Sequence, residues 1–538
     1  MGDTRTDREK ERAYAISLEK LLAGQDEQGA ADTLGKLEVV YGRCADDAQI
    51  ALAYAHGLVR LCAKQEDWAV PATVGKLQGV CASFPNDLRF ALRYAKGLAN
   101  LLYVQEEADA GDTLENLERV YHGFSQDARI AWEYARGLVN RSRKQQEQRV
   151  QDSIDKLTDV YDRFQDDPRM AWMYALGLVN LSATQDEQGT AATVAKLEEL
   201  YRRYQDDPHV ASAYAKGLMN LCIDQDRRGT ADTVIKLEEL YAKFPDDPQV
   251  ALQYAMSLVN LSGRQIGPDK AGTVDRLEGL YGRFPDDPQF AVEYAMGLMN
   301  LSHRQDGLDA ARTIAKLHGL YERFMDDPQI TRRYARILVN LAYVQDVHWI
   351  PDTVEKLEKV YGRFADDPEI ALQYACGLEE LSAKQEGKGL AATISRLRSV
   401  YVRFMGDQQI ALEYARSLAN LTAQQDEAGV AATTVKLRRV YERFPHDPQI
   451  ALQYVKGLVN QLYSWEKPIA DGTVEKLEDV YARYTDDPYI VLAYAMGLVN
   501  LCIVENEQGT ADSVAKLERL YDRFQDNPDI ALEYAKGL

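Results

Sequence analysis

Apolar residues recur along this chain in two alternating sets, and the pair of sets repeats every 40 residues. Take Tyr161 to Leu200 as the unit, with Tyr161 as position 1. Apolar residues at positions 10, 11, 14, 15, 18 and 21 (Met170, Ala171, Tyr174, Ala175, Leu178, Leu181) follow helical spacing. With the mostly Val position 19 they cover more than half of a helical wheel, which predicts a helix A packed on several sides. The second set lies at 34, 37, 40, 41 and 44 (Val194, Leu197, Leu200, Tyr201, Tyr204) and makes one compact face. It predicts a one-sided outer helix B over about positions 31–44, with Lys196 and Glu198 pointing away.

The register carries no insertion or deletion, so the 538 residues make thirteen full units and an 18-residue remainder. Units start at 1, 41, 81, 121, 161, 201, 241, 281, 321, 361, 401, 441 and 481, with a partial unit at 521–538. A fixed period in this range overrides the multi-domain expectation from length and predicts one elongated array over residues 1–538. Residues 1–11 are degenerate, and the pattern is in force by Tyr14, Ala15 and Leu18. The Tyr column from Tyr14 to Tyr534 and the Leu column from Leu18 to Leu538 are unbroken.

Local chemistry places the helix starts. From Asp47 onward, twelve of thirteen units carry Asp at position 7, with Asn527 the exception, and nine follow it with Pro. An N-cap Asp accepts the free N–H groups of the first turn, and Pro at the first helical position loses nothing by lacking its own. Gly or Ser fills position 17 in thirteen of fourteen units. That costs up to about 1 kcal/mol of helix propensity and predicts close approach by a neighbouring helix. Position 3 is Arg in ten of thirteen units, where a cation suits the C-terminus of helix B.

Paired antiparallel helices, an aromatic early in helix A, and a D-P turn six residues before it (Pro168 to Tyr174, Pro208 to Tyr214) resemble the tetratricopeptide repeat along the whole chain. The unit departs from that family in having 40 residues rather than the family's shorter repeat and in reading Gly-Leu at Gly177-Leu178, where the family has the reverse order. The resemblance implies an all-α fold, a right-handed α-solenoid or superhelix of antiparallel helix pairs, about 13 repeats of 40 residues. It also implies that A helices line a concave groove that binds proteins or peptides.

Charge and chemistry narrow the function. The net charge of −21 disfavours nucleic acid and anionic membrane, and predicts a neutral or basic protein or peptide partner. A second copy of the chain is a further candidate. No apolar run is long enough to span a bilayer. Gly2 to Thr6 matches a loose myristoylation pattern, against which Asp3 places a charge beside the acceptor glycine. Six cysteines fit no metal or disulfide spacing; Cys44 and Cys81 replace aromatic core residues, and free thiols suit a reducing, cytoplasmic setting. The seven histidines occupy seven different repeat positions, and the Asp-Asp pairs read as caps rather than calcium ligands. No cofactor, metal or catalysis is expected. The predicted function is a non-enzymatic interaction scaffold, with a regulatory arm of a larger protein or a self-assembling rod as alternatives.

Position 20 is Asn in ten of thirteen units: Asn100, Asn140, Asn180, Asn220, Asn260, Asn300, Asn340, Asn420, Asn460 and Asn500. Asn is a poor helix former, so propensity does not place it there. Either each amide bonds to the adjacent unit, or the column grips the main chain of an extended peptide. Trp132 and Trp172 share position 12 in adjacent units, beside the polar arc of helix A. The binding strip is therefore expected around Trp132, Arg136, Asn140, Trp172, Asn180 and Asn220. Arg141, Arg143, Lys144 and Arg149 make a basic island in the following link, which also reads as a solvated loop. Trp68, Trp349 and Trp465, near Pro71, Pro351 and Pro468, read as staples of the inter-helix links.

Overall fold

A computed structural model describes residues 3–145, 147–302, 307–344, 348–463, 470–504 and 507–538; Gly2, His303, Trp465 and Pro468 lie outside them. The described residues form 27 α-helices, α1 to α27 in chain order, and no strand. Odd numbers are the A helices and even numbers the B helices. The chain divides into two compact units, Met1–Gly297 and Leu298–Leu538. Each is an α-solenoid in which an A helix packs on neighbouring A helices and on both flanking B helices, as α11 (Pro208–Asp224) does on α9 (Pro168–Ser182), α13 (Pro248–Arg264), α10 (Glu187–Arg203) and α12 (Arg227–Lys243).

The capping chemistry works as the sequence predicts. Helices α9 and α11 start at Pro168 and Pro208, and the Asp207 carboxylate accepts from the backbone N–H groups of His209 and Val210 at 2.8 and 3.2 Å. Helix B starts earlier than its apolar face suggests. In α10 it begins at Glu187, position 27, because Asp186 caps it by accepting from Gly189 N–H at 2.8 Å. The four residues between cap and first apolar face are polar, so periodicity alone does not register them. The degenerate start is also helical: α1 spans Asp3–Leu21.

The wide apolar arc of helix A is buried on all the sides that carry it. In α9, Met170, Ala171, Ala175, Leu178 and Leu181 are each at most 1% exposed. The small residue at position 17 admits the Leu at position 37 of the preceding B helix. A Cβ built on Gly177 would stand 2.5 Å from Leu157 Cδ2, and one on Gly137 would stand 2.4 Å from Leu117 Cδ2. The Tyr near the end of most B helices stacks on the Tyr of the next A helix, as Tyr161 on Tyr174 with centroids 4.9 Å apart; Cys81 takes that place in one unit.

Polar columns stitch successive units. The two acidic turn residues divide the labour: the second caps helix A, and the first holds the position-3 cation of the next unit, as in Arg283–Asp246 and Arg363–Asp326, each 2.6 Å. Glu198, pointing away from the apolar face of its helix, holds Lys236 of the next B helix at 2.9 Å, and Lys156 holds Glu118 at 2.7 Å in the same way. Such exposed pairs are each worth only about 0–1 kcal/mol, so they mark register more than they hold the fold together. Cys44, Cys62, Cys81 and Cys222 are buried free thiols, and burial pushes Cys62 and Cys81 up to about 12.

Candidate interaction surface

Packing buries most of helix A and leaves one stripe, at positions 9, 12, 16, 20 and 23. In α7 (Ala128–Ser142) and the residue after it these are Arg129, Trp132, Arg136, Asn140 and Arg143, all exposed or half-buried. Steps of three and four residues align them on one face of the helix, and the solenoid sets the stripes of successive A helices side by side.

The structure places the six predicted residues on this stripe and gives them different partners. Trp132 is half-buried; the Arg136 guanidinium lies over its ring at 5.5 Å, and its indole Nε1 is buried without a hydrogen-bond partner. Arg136 also donates to Glu133 at 2.8 Å and to the Lys96 carbonyl at 3.3 Å. Trp172 is half-buried against the His209 ring of α11, centroids 4.8 Å apart. No hydrogen bond or ring contact joins the two indoles among the described residues.

The asparagines engage the preceding unit. Asn140 Nδ2 donates to the Ala99 carbonyl at 2.9 Å. Asn180 Nδ2 donates to the Val139 carbonyl at 3.2 Å and to Ser142 Oγ at 2.8 Å. Asn220, only 8% exposed, repeats the arrangement with Val179 and with Ser182 Oγ, the latter at 2.9 Å. Val139 and Val179 also accept from the Ser Oγ three residues ahead, Ser142 and Ser182, so the Asn of the next unit adds a donor to a carbonyl–hydroxyl pair already formed.

The basic island is likewise tied down rather than a free solvated loop. Arg143 lies over the Tyr103 ring at 5.4 Å, Lys144 donates to the Val104 and Gln105 carbonyls at 3.2 and 2.9 Å, and Arg149 pairs with Glu107 at 2.8 Å. The staple reading fails for the other tryptophans that are described: Trp68 and Trp349 are 81% and 62% exposed. Val70 and Ile350, at most 1% exposed, take the buried place in those links.

The stripe changes character in the second unit. In α19 (Pro368–Ala383), Glu379 and Glu380 stand where most units carry Val and Asn. Glu380 pairs with Lys384 at 2.6 Å. Burial, reinforced by Glu413 and Glu380 and opposed by Arg416, pushes the Glu379 carboxyl up to about 7. Because its folded value lies above the ordinary 4.5, this group's contribution is intact below 4.5 and is lost as pH rises through 7. Glu379→Val, which restores the column, is therefore expected to stabilise the protein at alkaline pH by about 1 kcal/mol, the low end of the cost of a poorly satisfied polar group, because Glu379 is half-buried. The gain should shrink on acidification; thermal melts across the two pH regimes check it, and a pH-independent gain refutes the cause. Farther along, Leu452, Val459, Leu492 and the exposed Tyr489 and Met496 line a cleft of about 370 Å³. They belong to α23 (Pro448–Tyr463) and to α25 (Pro488–Val504), and α25 carries no charged residue.

Among the described residues, no group of three His, Cys, Asp or Glu could hold a metal ion, and no helix is long and apolar enough to cross a membrane. No protein-family model and no curated protein matches the sequence. Solved structures similar to the chain include importin beta crystallised in ammonium sulfate (9% identity, TM-score 0.40, covering 92% of this chain and 68% of that one). The karyopherin Kap121p bound to the extreme C-terminus of the phosphatase Cdc14p gives 10% identity and a TM-score of 0.44, covering 97% and 57%. Yeast Tom70 gives 12% identity and a TM-score of 0.29, covering 97% and 99%.

Proposed function

We propose that the chain is a non-enzymatic scaffold that binds a peptide or protein along the exposed stripe of its A helices. The contact is made by Trp132, Arg136 and Trp172, with Asn140, Asn180 and Asn220 lining the same strip. One observation carries the reading. The stripe is the one face of helix A that packing leaves open, and it presents half-buried indoles, one with a buried Nε1 lacking an acceptor. Large aromatic side chains ringed by polar groups are what binding hot spots are made of. The resemblance of the unit to the tetratricopeptide repeat, whose A helices line the binding groove, points the same way.

The test uses the substitution most compatible with the fold. Leu52, Leu92 and Leu252 occupy position 12 in other units, so Trp132→Leu with Trp172→Leu keeps an apolar residue in a column that accepts it. Polypeptides retained from native lysate on the immobilised chain are expected to bind the double variant at least about tenfold more weakly, the scale of losing one hot-spot residue, with the thermal melt little changed. Equal retention by both proteins would remove the stripe as the binding site.

A further inference from the structure

The net charge of −21 does not describe the surface offered to a partner. In the five A helices from α3 (Ala48–Cys62) to α11, the stripe positions 9, 12, 16, 20 and 23 carry eight Lys or Arg and no carboxylate. The acid is displaced elsewhere. Inter-helix turn residues such as Asp166 and Asp246, whose side chains are 101% and 91% exposed, lie at the unit junctions, and Glu118 and Glu198 lie on B helices. At physiological salt, charges separated by more than about 8 Å are largely screened from one another, so a ligand lying on the stripe meets its local sign rather than the sum over the molecule.

Part of this cationic charge is already answered. Arg89, Arg129 and Arg169 fold back on their own N-cap aspartates at 2.6–2.8 Å, and Arg136 holds Glu133. His56 holds Glu19, and Arg60 donates to the Glu19 carbonyl at 3.2 Å. Two cations of α5 (Leu88–Val104), Lys96 on the stripe and Arg93 at position 13 on its edge, make no ion pair of their own among the described residues, although both lie in the field of Glu133, which Arg136 already holds. Lys96 is exposed. Arg93 is half-buried, and its Nε is buried with no hydrogen-bond partner. Burial weighs first against the charge on Arg93; Glu19 favours it, and Arg129 and Arg60 oppose it. A half-buried guanidinium crowded by two others and missing an acceptor is costly as it stands, and a carboxylate satisfies its fork of N–H donors better than any other common group.

We propose that the stripe across α3, α5 and α7 takes an acidic, extended polypeptide segment, one carboxylate of which seats between Arg93 and Lys96. The proposal rests on the scaffold reading above and replaces the neutral or basic partner expected from net charge. An acidic peptide fits better than a nucleic acid for two reasons. Glu19 and the buried Glu133 flank the stripe, and a polynucleotide with a phosphate at every nucleotide would run close to both, whereas a peptide can place uncharged residues there. Leu92 and Trp132 at position 12 and Tyr103 at position 23 share the stripe with the cations and match apolar side chains.

The test is fluorescence anisotropy on the full chain with three labelled probes of equal length, on the order of a dozen residues: a Glu/Leu-rich peptide, its Lys/Leu counterpart, and single-stranded DNA. The acidic peptide is expected to bind best and to weaken as salt rises. Arg93→Ala and Lys96→Glu should each weaken it about tenfold, the scale of one charge-assisted hydrogen bond. Arg93→Ala should leave the thermal melt unmoved or raised, because the native protein gives that guanidinium no partner to lose; Lys96→Glu, at an exposed position, gives a second reading should the first variant misfold. Tighter binding of the Lys/Leu peptide or of DNA overturns the proposal, as does acidic-peptide binding that neither substitution changes. Self-association abolished by Lys96→Glu also overturns it, in favour of a second copy. If these probes fail while capture still depends on Trp132 and Trp172, the charge inference falls and the scaffold reading stands.

Discussion

Replacing Asn140, Asn180 and Asn220 together by Ala is expected to destabilise the protein by about 3 kcal/mol, roughly 1 kcal/mol for each hydrogen-bonded amide. The residues are half-buried or, for Asn220, buried, and each Nδ2 bonds to the preceding unit, so truncation removes the hydrogen bonds that tie one unit to the next. Ala is the better helix former, which offsets a few tenths of a kcal/mol per site. In a repeat array the loss falls on the interfaces that lose the bonds, so the sharper readout is hydrogen exchange. Amides of α7, α9 and α11 should exchange faster, while those of α23 and α25 should not. The same variant separates the two meanings of the column. A lowered melt with partner retention per folded molecule unchanged assigns the asparagines to the stack; an unmoved melt with retention lost assigns them to the ligand.

The second large effect is expected at the small-residue column. Gly177→Val should cost about 1–3 kcal/mol or more, the price of overpacking a filled interface. The new Cβ alone would approach Leu157 Cδ2 to 2.5 Å and Ile154 Cδ1 to 2.8 Å, and both belong to the helix over Glu147–Arg163, which packs on α7 as well as on α9. Gly279, exposed in α14 (Pro268–Arg283) with nothing within 4 Å of a built Cβ, is the control: Gly279→Ala should gain up to about 1 kcal/mol. Ile337 fills the small-residue column in one unit and is 1% exposed, so the column tolerates bulk where the surrounding residues differ. If Gly177→Val melts like the parent, the close approach of α8 (Glu147–Arg163) to α9 is not what keeps this position small.

The sequence by itself determined the repeat, the helix pairs, the start of every A helix it marked with Asp-Pro, and the columns that form the core. These rest on information local to a turn or two of chain: a carboxylate reaches N–H groups two and three residues ahead, and burial follows a period of 3.6 residues. It also placed the candidate stripe, because six residues spaced along A helices must share a face once those helices stack. Only the tertiary structure decided what the polar columns meet. Asn180 finds a carbonyl 41 residues back and Lys236 a carboxylate 38 residues back, distances at which composition and periodicity say nothing about partners. The start of helix B escaped the apolar pattern because its first turn is polar, and Trp68 and Trp349 were misread because a neighbouring Val or Ile takes the buried place. Charge shows the division most plainly. Net charge is one sum over the whole chain, whereas a partner meets the side chains of one face; stacking the units gathers cations along the A helices of α3 to α11 and sends the acid to the turns and the B helices.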